Sequence, residues 1–137
     1  MSNPKPFQLP VRVYYEDTDA QGVVYYANYF RFMERARTEW LRTLGVDMQR
    51  LHEEERRIFV VAEVGAKFHA PARLGDDLIV TARLIDLTRA SFDIEQRIYR
   101  NNTDGELLIS GIIKAAYLDA DTMRPQRVPP SLFGEPQ

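Results

Sequence analysis

A helical pattern of large apolar residues in the first third of the chain narrows the possible folds more than any other feature. Apolar residues recur at steps of three and four from Tyr29 onward, while charged residues fill the other side. Asn28 precedes this pattern at a position suited to an N-cap, and Gly45 follows it where a C-terminal cap belongs. The pattern predicts an amphipathic helix over about residues 28–44, with an apolar face formed by Tyr29, Met33, Ala36, Trp40 and Leu44.

Segments rich in β-branched and aromatic residues lie on both sides of this helix and are typical of strands. The sequence Asn-Asn-Thr-Asp-Gly at residues 101–105 indicates a tight turn, so the strands that flank it should pair antiparallel. One strand, one long helix and a run of strands predict an α+β structure in which an antiparallel sheet covers the helix. The predicted strands are residues 11–15, 58–64, 78–87, 91–99 and 107–118, and residues 47–57 form a weaker helix.

Length and composition exclude several classes of protein. The 137 residues predict a single domain over residues 1–137, with a lead-in at 1–10 and a proline-rich tail at 120–137. A net charge of −2 argues against a nucleic-acid partner, and the lack of cysteine excludes disulfides and a cysteine nucleophile. No segment resembles a signal peptide or reaches membrane-spanning length, so we expect a cytoplasmic protein without membrane insertion.

Residues 16–29 concentrate three carboxylates, three tyrosines and a glycine between the first strand and the helix. A helix N-terminus presents unpaired N–H groups and a partial positive charge, which can polarise a carbonyl oxygen. A nearby carboxylate could then attack the carbonyl carbon or activate water. On residue chemistry alone, Asp17 and Asp19 fit better as loop residues that satisfy turn N–H groups, which is the more common role of acidic pairs.

The sequence at residues 12–13 and 16–24, Arg-Val followed by Glu-Asp-Thr-Asp-Ala-Gln-Gly-Val-Val, resembles the active-site signature of the 4-hydroxybenzoyl-CoA thioesterase family. The similarity continues through Tyr29, along residues 34–39, and at residues 70–74, Ala-Pro-Ala-Arg-Leu. Within the family, the chain is most similar to the bacterial acyl-CoA thioesterases associated with the Tol-Pal system. The resemblance implies a hotdog fold, in which a long helix is wrapped by an antiparallel sheet and two subunits form paired active sites.

The resemblance also implies an activity: hydrolysis, without a cofactor, of small aliphatic or aromatic acyl-CoA thioesters by a homodimer or homotetramer. The catalytic carboxylate would be Asp19, acting as a nucleophile or as a general base. The backbone N–H near Tyr26 would polarise the thioester carbonyl. Gly22, Asn28 and Tyr29, which lies at the start of the helix, are further candidates for binding the acyl thioester. Arg89 lies at a position that resembles the family's CoA-phosphate contact region, although a lone loop arginine is usually solvated, and Ser91 is a candidate for a turn or a CoA contact.

Two other functions stay open at this point. Many Tol-Pal-associated members carry a histidine where this chain has Tyr26, which leaves room for a non-catalytic acyl-CoA-binding or scaffold subunit of an envelope or lipid-synthesis complex. The retained Asp19 speaks against that reading. A hotdog dehydratase ranks last, because neither His52 nor His69 has the matching context, and two histidines this far apart predict no metal site.

Overall fold

The computed structural model describes residues 5–133, in which one long helix packs against a five-stranded antiparallel sheet. The elements are β1 (Phe7–Arg12), α1 (Tyr26–Thr43), α2 (Met48–Glu55), β2 (Arg57–Phe68), β3 (Asp77–Leu87), β4 (Ser91–Arg100) and β5 (Leu107–Asp119). Two short 3-10 turns cover Tyr15–Asp17 and Pro130–Phe133. The strand order is β1-β3-β4-β5-β2. This architecture confirms the predictions of an α+β structure and a hotdog fold.

Helix α1 buries the face that the three- and four-residue spacing predicts. Its buried side chains are Tyr29, Phe32, Met33, Ala36, Trp40 and Leu41. The first half of this face packs into one apolar cluster with Ile98 and Ile109, and the second half joins another cluster with Phe92 and Ile94. The sheet residues come from the inward face of β4 and β5, because alternate side chains of a strand point to the same side.

The predicted cap is confirmed at the C-terminal end of α1 and is wrong at its N-terminal end. Gly45 adopts a φ of +88°, and its N–H donates to the carbonyl of Arg42 at 3.0 Å, so the predicted glycine cap is confirmed. The predicted cap by Asn28 is wrong, because the helix begins at Tyr26 with Tyr25 as its N-cap. Asn28 lies in the first turn, where its side-chain amide donates to the carbonyl of Asp17 at 2.9 Å instead.

The predicted boundaries of two strands were also wrong. Strand β1 ends at Arg12 and starts inside the predicted lead-in, since it pairs with β3 from Phe7 to Arg12. It lies at the edge of the sheet, where Pro10 can be accommodated without a donor for a second neighbour. Strand β2 continues to Phe68, because it pairs with β5 along this length.

The described part of the tail packs on the body of the protein. Val128 is buried and its N–H donates to the carbonyl of Arg89 at 2.7 Å. Phe133 stacks on Trp40 with ring centroids 5.6 Å apart. The proline-rich tail is therefore ordered as far as Phe133, and residues 134–137 lie outside the described residues. Between residues 5 and 133, no helix has both the length and the apolar character needed to cross a bilayer.

Candidate active site

Asp19 lies on a tight loop that closes on itself immediately before α1. Thr18 and Val24 form a bridge, and the N–H of Asp19 donates to the carbonyl of Val23 at 2.9 Å. Gly22 turns the chain with a φ of +79°, in the left-handed region that favours glycine. A Cβ at Gly22 would meet no atom within 4 Å, so glycine is required here for its conformation rather than for space.

The Asp19 carboxylate is exposed and only half engaged. Its Oδ1 accepts the N–H of Gln21 at 2.8 Å, and its Oδ2 receives no hydrogen bond from any residue between 5 and 133. The bond to Gln21 is a local turn bond, which fixes the direction of the carboxylate. One oxygen therefore remains available to act on a substrate or on water.

Asp17 has a structural place in the same segment. Its Oδ2 accepts the N–H of Tyr14 at 2.8 Å, which closes the 3-10 turn. Its carbonyl accepts the N–H of Tyr25 at 3.0 Å and the side-chain amide of Asn28 at 2.9 Å. Each carboxylate therefore has one oxygen bonded to a backbone N–H and one without a hydrogen bond from residues 5–133. They differ in surroundings, since Asp17 is half-buried and its carbonyl joins the loop to the helix, whereas Asp19 is exposed.

The start of α1 offers the hydrogen-bond donors that the sequence predicts. The Tyr25 N-cap supplies no side-chain hydrogen bond to the helix. Within residues 5–133, the N–H groups of Tyr26 and Ala27 find no acceptor, as is usual for the first turn of a helix. The Tyr26 side chain is exposed beside them. These N–H groups and the partial positive charge of the helix can stabilise a developing oxyanion.

Tyr29 lies in the core rather than at the entrance of a site. Only 3% of it is exposed, and its hydroxyl accepts the N–H of Ala72 at 2.9 Å. Burial raises the pKa of the Tyr29 phenol above its ordinary value. Its position favours a role in holding the segment around Ala72 against α1.

That segment, residues 70–76, forms the support of the Asp19 loop. The carbonyl of Ala72 accepts the N–H of Val24 at 2.8 Å, and the N–H of Leu74 donates to the carbonyl of Gly22 at 3.2 Å. An ion pair between Asp76 and Arg100 joins the end of this segment to the end of β4. Sequence reasoning missed both charged residues, although the similarity at residues 70–74 pointed to the segment. Nothing in the local sequence links Arg100 to Asp76, which lies 24 positions earlier.

Arg89 lies in the turn that joins β3 to β4, and Ser91 is the first residue of β4. The hydroxyls of Thr88 and Ser91 are 2.7 Å apart, and the Arg89 side chain is exposed. The opposite end of the same two strands adjoins the Asp19 loop. Strands of 11 and 10 residues, rising about 3.3 Å per residue, separate the two ends by roughly 30 Å. Within a single chain, the structure therefore does not bring Arg89 and Ser91 together with Asp19.

Comparisons with known proteins agree on one family. Residues 13–134 match the family model described as the thioesterase-like superfamily. The chain is 44% identical over 123 residues to the acyl-CoA thioesterase YbgC of Haemophilus influenzae, covering 90% of this chain and 88% of that protein. The crystal structure of a probable thioesterase from Bartonella henselae is 32% identical with a TM-score of 0.85, covering 91% and 100% of the two chains. The 4-hydroxybenzoyl CoA thioesterase from Pseudomonas sp. strain CBS-3 shares the fold, with a TM-score of 0.85 at 20% identity over 94% and 97%. Because the family model spans most of its length, the chain belongs to the thioesterase-like superfamily, in agreement with the resemblance of its Asp19 motif.

Proposed function

We propose that this protein hydrolyses acyl-CoA thioesters to the free acid and CoA, with Asp19 as the catalytic carboxylate. The observation that carries the proposal is the free Oδ2 of Asp19. Its loop is hydrogen-bonded to the start of α1, where the N–H groups of Tyr26 and Ala27 have no acceptor within residues 5–133. The Haemophilus influenzae relative, which carries the name acyl-CoA thioesterase, supports the same substrate class. Small acyl groups and a cytoplasmic location stay predictions.

In this proposal the thioester carbonyl oxygen accepts hydrogen bonds from the N–H groups of Tyr26 and Ala27. Its carbon then faces the Asp19 carboxylate. In the nucleophilic route, Asp19 attacks the carbon, the C–S bond breaks to release CoA thiolate, and water hydrolyses the mixed anhydride. In the general-base route, Asp19 takes a proton from water as the water oxygen attacks the same carbon, and the C–S bond then breaks to release the free acid and CoA thiolate, which takes up the proton. Both routes require an ionised carboxylate, and incorporation of 18O from labelled water into Asp19 would identify the anhydride.

We also propose that two copies of the chain pair through β2. Strand β2 forms one edge of the sheet over 12 residues and leaves Val61, Val64 and Phe68 exposed. Exposed edges of this length are usually covered. Two β2 strands paired antiparallel would bring the Arg57 end of one protomer beside the Phe68 end of the other. The β3–β4 turn with Arg89 and Ser91 would thereby approach the partner's Asp19 loop, which gives these residues a route to CoA.

The test compares Asp19→Asn with Asp17→Asn on one panel of acetyl-, hexanoyl-, benzoyl- and 4-hydroxybenzoyl-CoA. Loss of a nucleophile or general base costs on the order of 10² to 10⁴ in rate, so Asp19→Asn should nearly abolish turnover. Asp17→Asn is the matched control, because asparagine can still accept the N–H of Tyr14. It should keep most of the activity.

Near wild-type turnover by Asp19→Asn would refute the assignment of Asp19. Binding of acyl-CoA without turnover by the wild type would instead favour the non-catalytic binding subunit. Sedimentation of the active species tests the second copy, since a fully active monomer would contradict it.

A further inference from the structure

Arg100, the last residue of β4, connects the sheet to the segment that supports Asp19. Its side chain is 21% exposed and pairs with the carboxylate of Asp76, which is 23% exposed. Its Nη2 donates to the carbonyl of Pro71 at 2.9 Å, and its Nε donates to Glu106 at 3.2 Å. One guanidinium thus binds both ends of residues 71–76.

Asp76 connects the ion pair with Arg100 to the backbone through three hydrogen bonds. Its Oδ2 accepts the N–H of Arg73 at 2.8 Å, and its own N–H donates to the carbonyl of Arg73 at 3.0 Å. Its carbonyl accepts the N–H of Val13 at 2.9 Å, at the end of β1. The ion pair therefore closes the turn at residues 73–76 and anchors it to the sheet.

From there, backbone hydrogen bonds lead to the catalytic loop. Residues 72 and 74 bond to Val24 and Gly22, and Val23 in turn accepts the N–H of Asp19. Each step in this path is a hydrogen bond or a peptide bond between adjacent residues. A shift of residues 71–76 would accordingly move the loop and change the position of the Asp19 carboxylate relative to the start of α1.

We propose that Arg100 is a positioning residue for Asp19, acting through Asp76 and Pro71, an inference that rests on the proposed function. The planar guanidinium can serve a carboxylate and a carbonyl at once, whereas the single ammonium of lysine cannot reproduce this fork. Arg100 does not contact the expected place of the substrate. Its loss should therefore reduce kcat and leave KM nearly unchanged.

The test uses Arg100→Lys, which keeps the charge and removes the fork. Misplacement of a catalytic group by about 1 Å can cost about 100-fold, so we expect kcat to fall roughly 10- to 100-fold while KM changes less than about twofold. Arg83→Lys is the matched control. Arg83 pairs with Glu95 at 3.1 Å across the same two strands, with 33% and 24% exposure, and this pair makes no contact with the loop. Its kcat should stay at the wild-type value.

A double-mutant cycle separates positioning from general loss of stability. If Arg100 acts through Asp19, then Arg100→Lys should cause no further loss of turnover in the Asp19→Asn background. Losses that multiply, or a rise in KM that matches the fall in kcat, would overturn the proposal. Asp76→Asn provides a second variant and should reduce kcat in the same direction, because it weakens the pair but keeps an acceptor for Arg73.

Amide hydrogen exchange tests the positioning independently of activity. The N–H groups of Leu74 and Val24, which join the supporting segment to the loop, should exchange at least about tenfold faster in Arg100→Lys than in Arg83→Lys, because that segment is released. Wild-type exchange at both amides would overturn the proposal whatever the turnover. Retained turnover by Asp19→Asn would overturn the proposed function instead, so the two failures are distinguishable.

Discussion

Replacement of Tyr29 by phenylalanine isolates one buried hydrogen bond behind the candidate active site. The ring stays in the core, and only the oxygen that accepts the N–H of Ala72 at 2.9 Å is removed. Ala72 is fully buried and Tyr29 is 3% exposed, so water cannot replace the lost acceptor without a rearrangement. A buried donor left without a partner costs about 1–3 kcal/mol, and we expect the free energy of unfolding to fall by that amount.

The assay is urea unfolding followed by circular dichroism, with Tyr117→Phe as the control. Tyr117 is also 3% exposed, but its hydroxyl makes no hydrogen bond within residues 5–133. Its replacement should change the free energy of unfolding by less than about 0.5 kcal/mol. Thermal unfolding should place Tyr29→Phe on the order of 4 °C below the control for each kcal/mol. All samples need one protein concentration, because association would otherwise shift Tm.

Equal stability of the two variants would refute the reasoning, since it would mean that the Ala72 N–H finds another acceptor at no cost. The pH dependence gives a second criterion. Burial raises the pKa of Tyr29 above its ordinary value of 10.0, so the folded state keeps the phenol protonated after the unfolded chain has lost its proton. The protonated phenol makes its full contribution to stability below pH 10, and this contribution is lost as the pH rises through the pKa of Tyr29 in the folded state. Tyr29→Phe should therefore lose less of its stability above pH 10 than the wild type does.

Two further predictions concern groups outside the site. Gln96 is fully buried, donates to the carbonyls of Met33 and Thr81, and accepts from Arg37 at 3.0 Å. Gln96→Leu should lower the free energy of unfolding by about 1–3 kcal/mol in urea, and a change below 0.5 kcal/mol would contradict the role of this network. Hydrogen bonds from the N–H groups of Thr122 and Asp121 lower the pKa of Asp119 below its ordinary value of 3.8. Its stabilising effect is present above that value and is lost as the pH falls through the folded pKa. Asp119→Asn should flatten the dependence of Tm on pH below 3.8, and parallel curves for variant and wild type would contradict this.

Features that depend on neighbouring residues could be predicted from the sequence. The buried face of α1 and its glycine cap follow from side-chain spacing over one or two turns, and the β4–β5 hairpin follows from the turn at residues 101–105. The chemistry of the Asp19 segment is equally local, because its carboxylates and its helix start lie within a few residues of one another. The resemblance then identified the family that the comparisons confirm.

The tertiary structure decided which of these groups are free and what holds them in place. Asp17 and Asp19 have the same side chain two positions apart, yet the folded loop half-buries Asp17 and leaves Asp19 exposed. Tyr29 meets Ala72 across 43 positions, and Arg100 meets Asp76 across 24. Local patterns cannot specify such pairs, because a long-range contact depends on the path of the whole chain between its two ends. The segment that supports the Asp19 loop is held by contacts of this kind, so only the arrangement of the strands in the sheet identifies it.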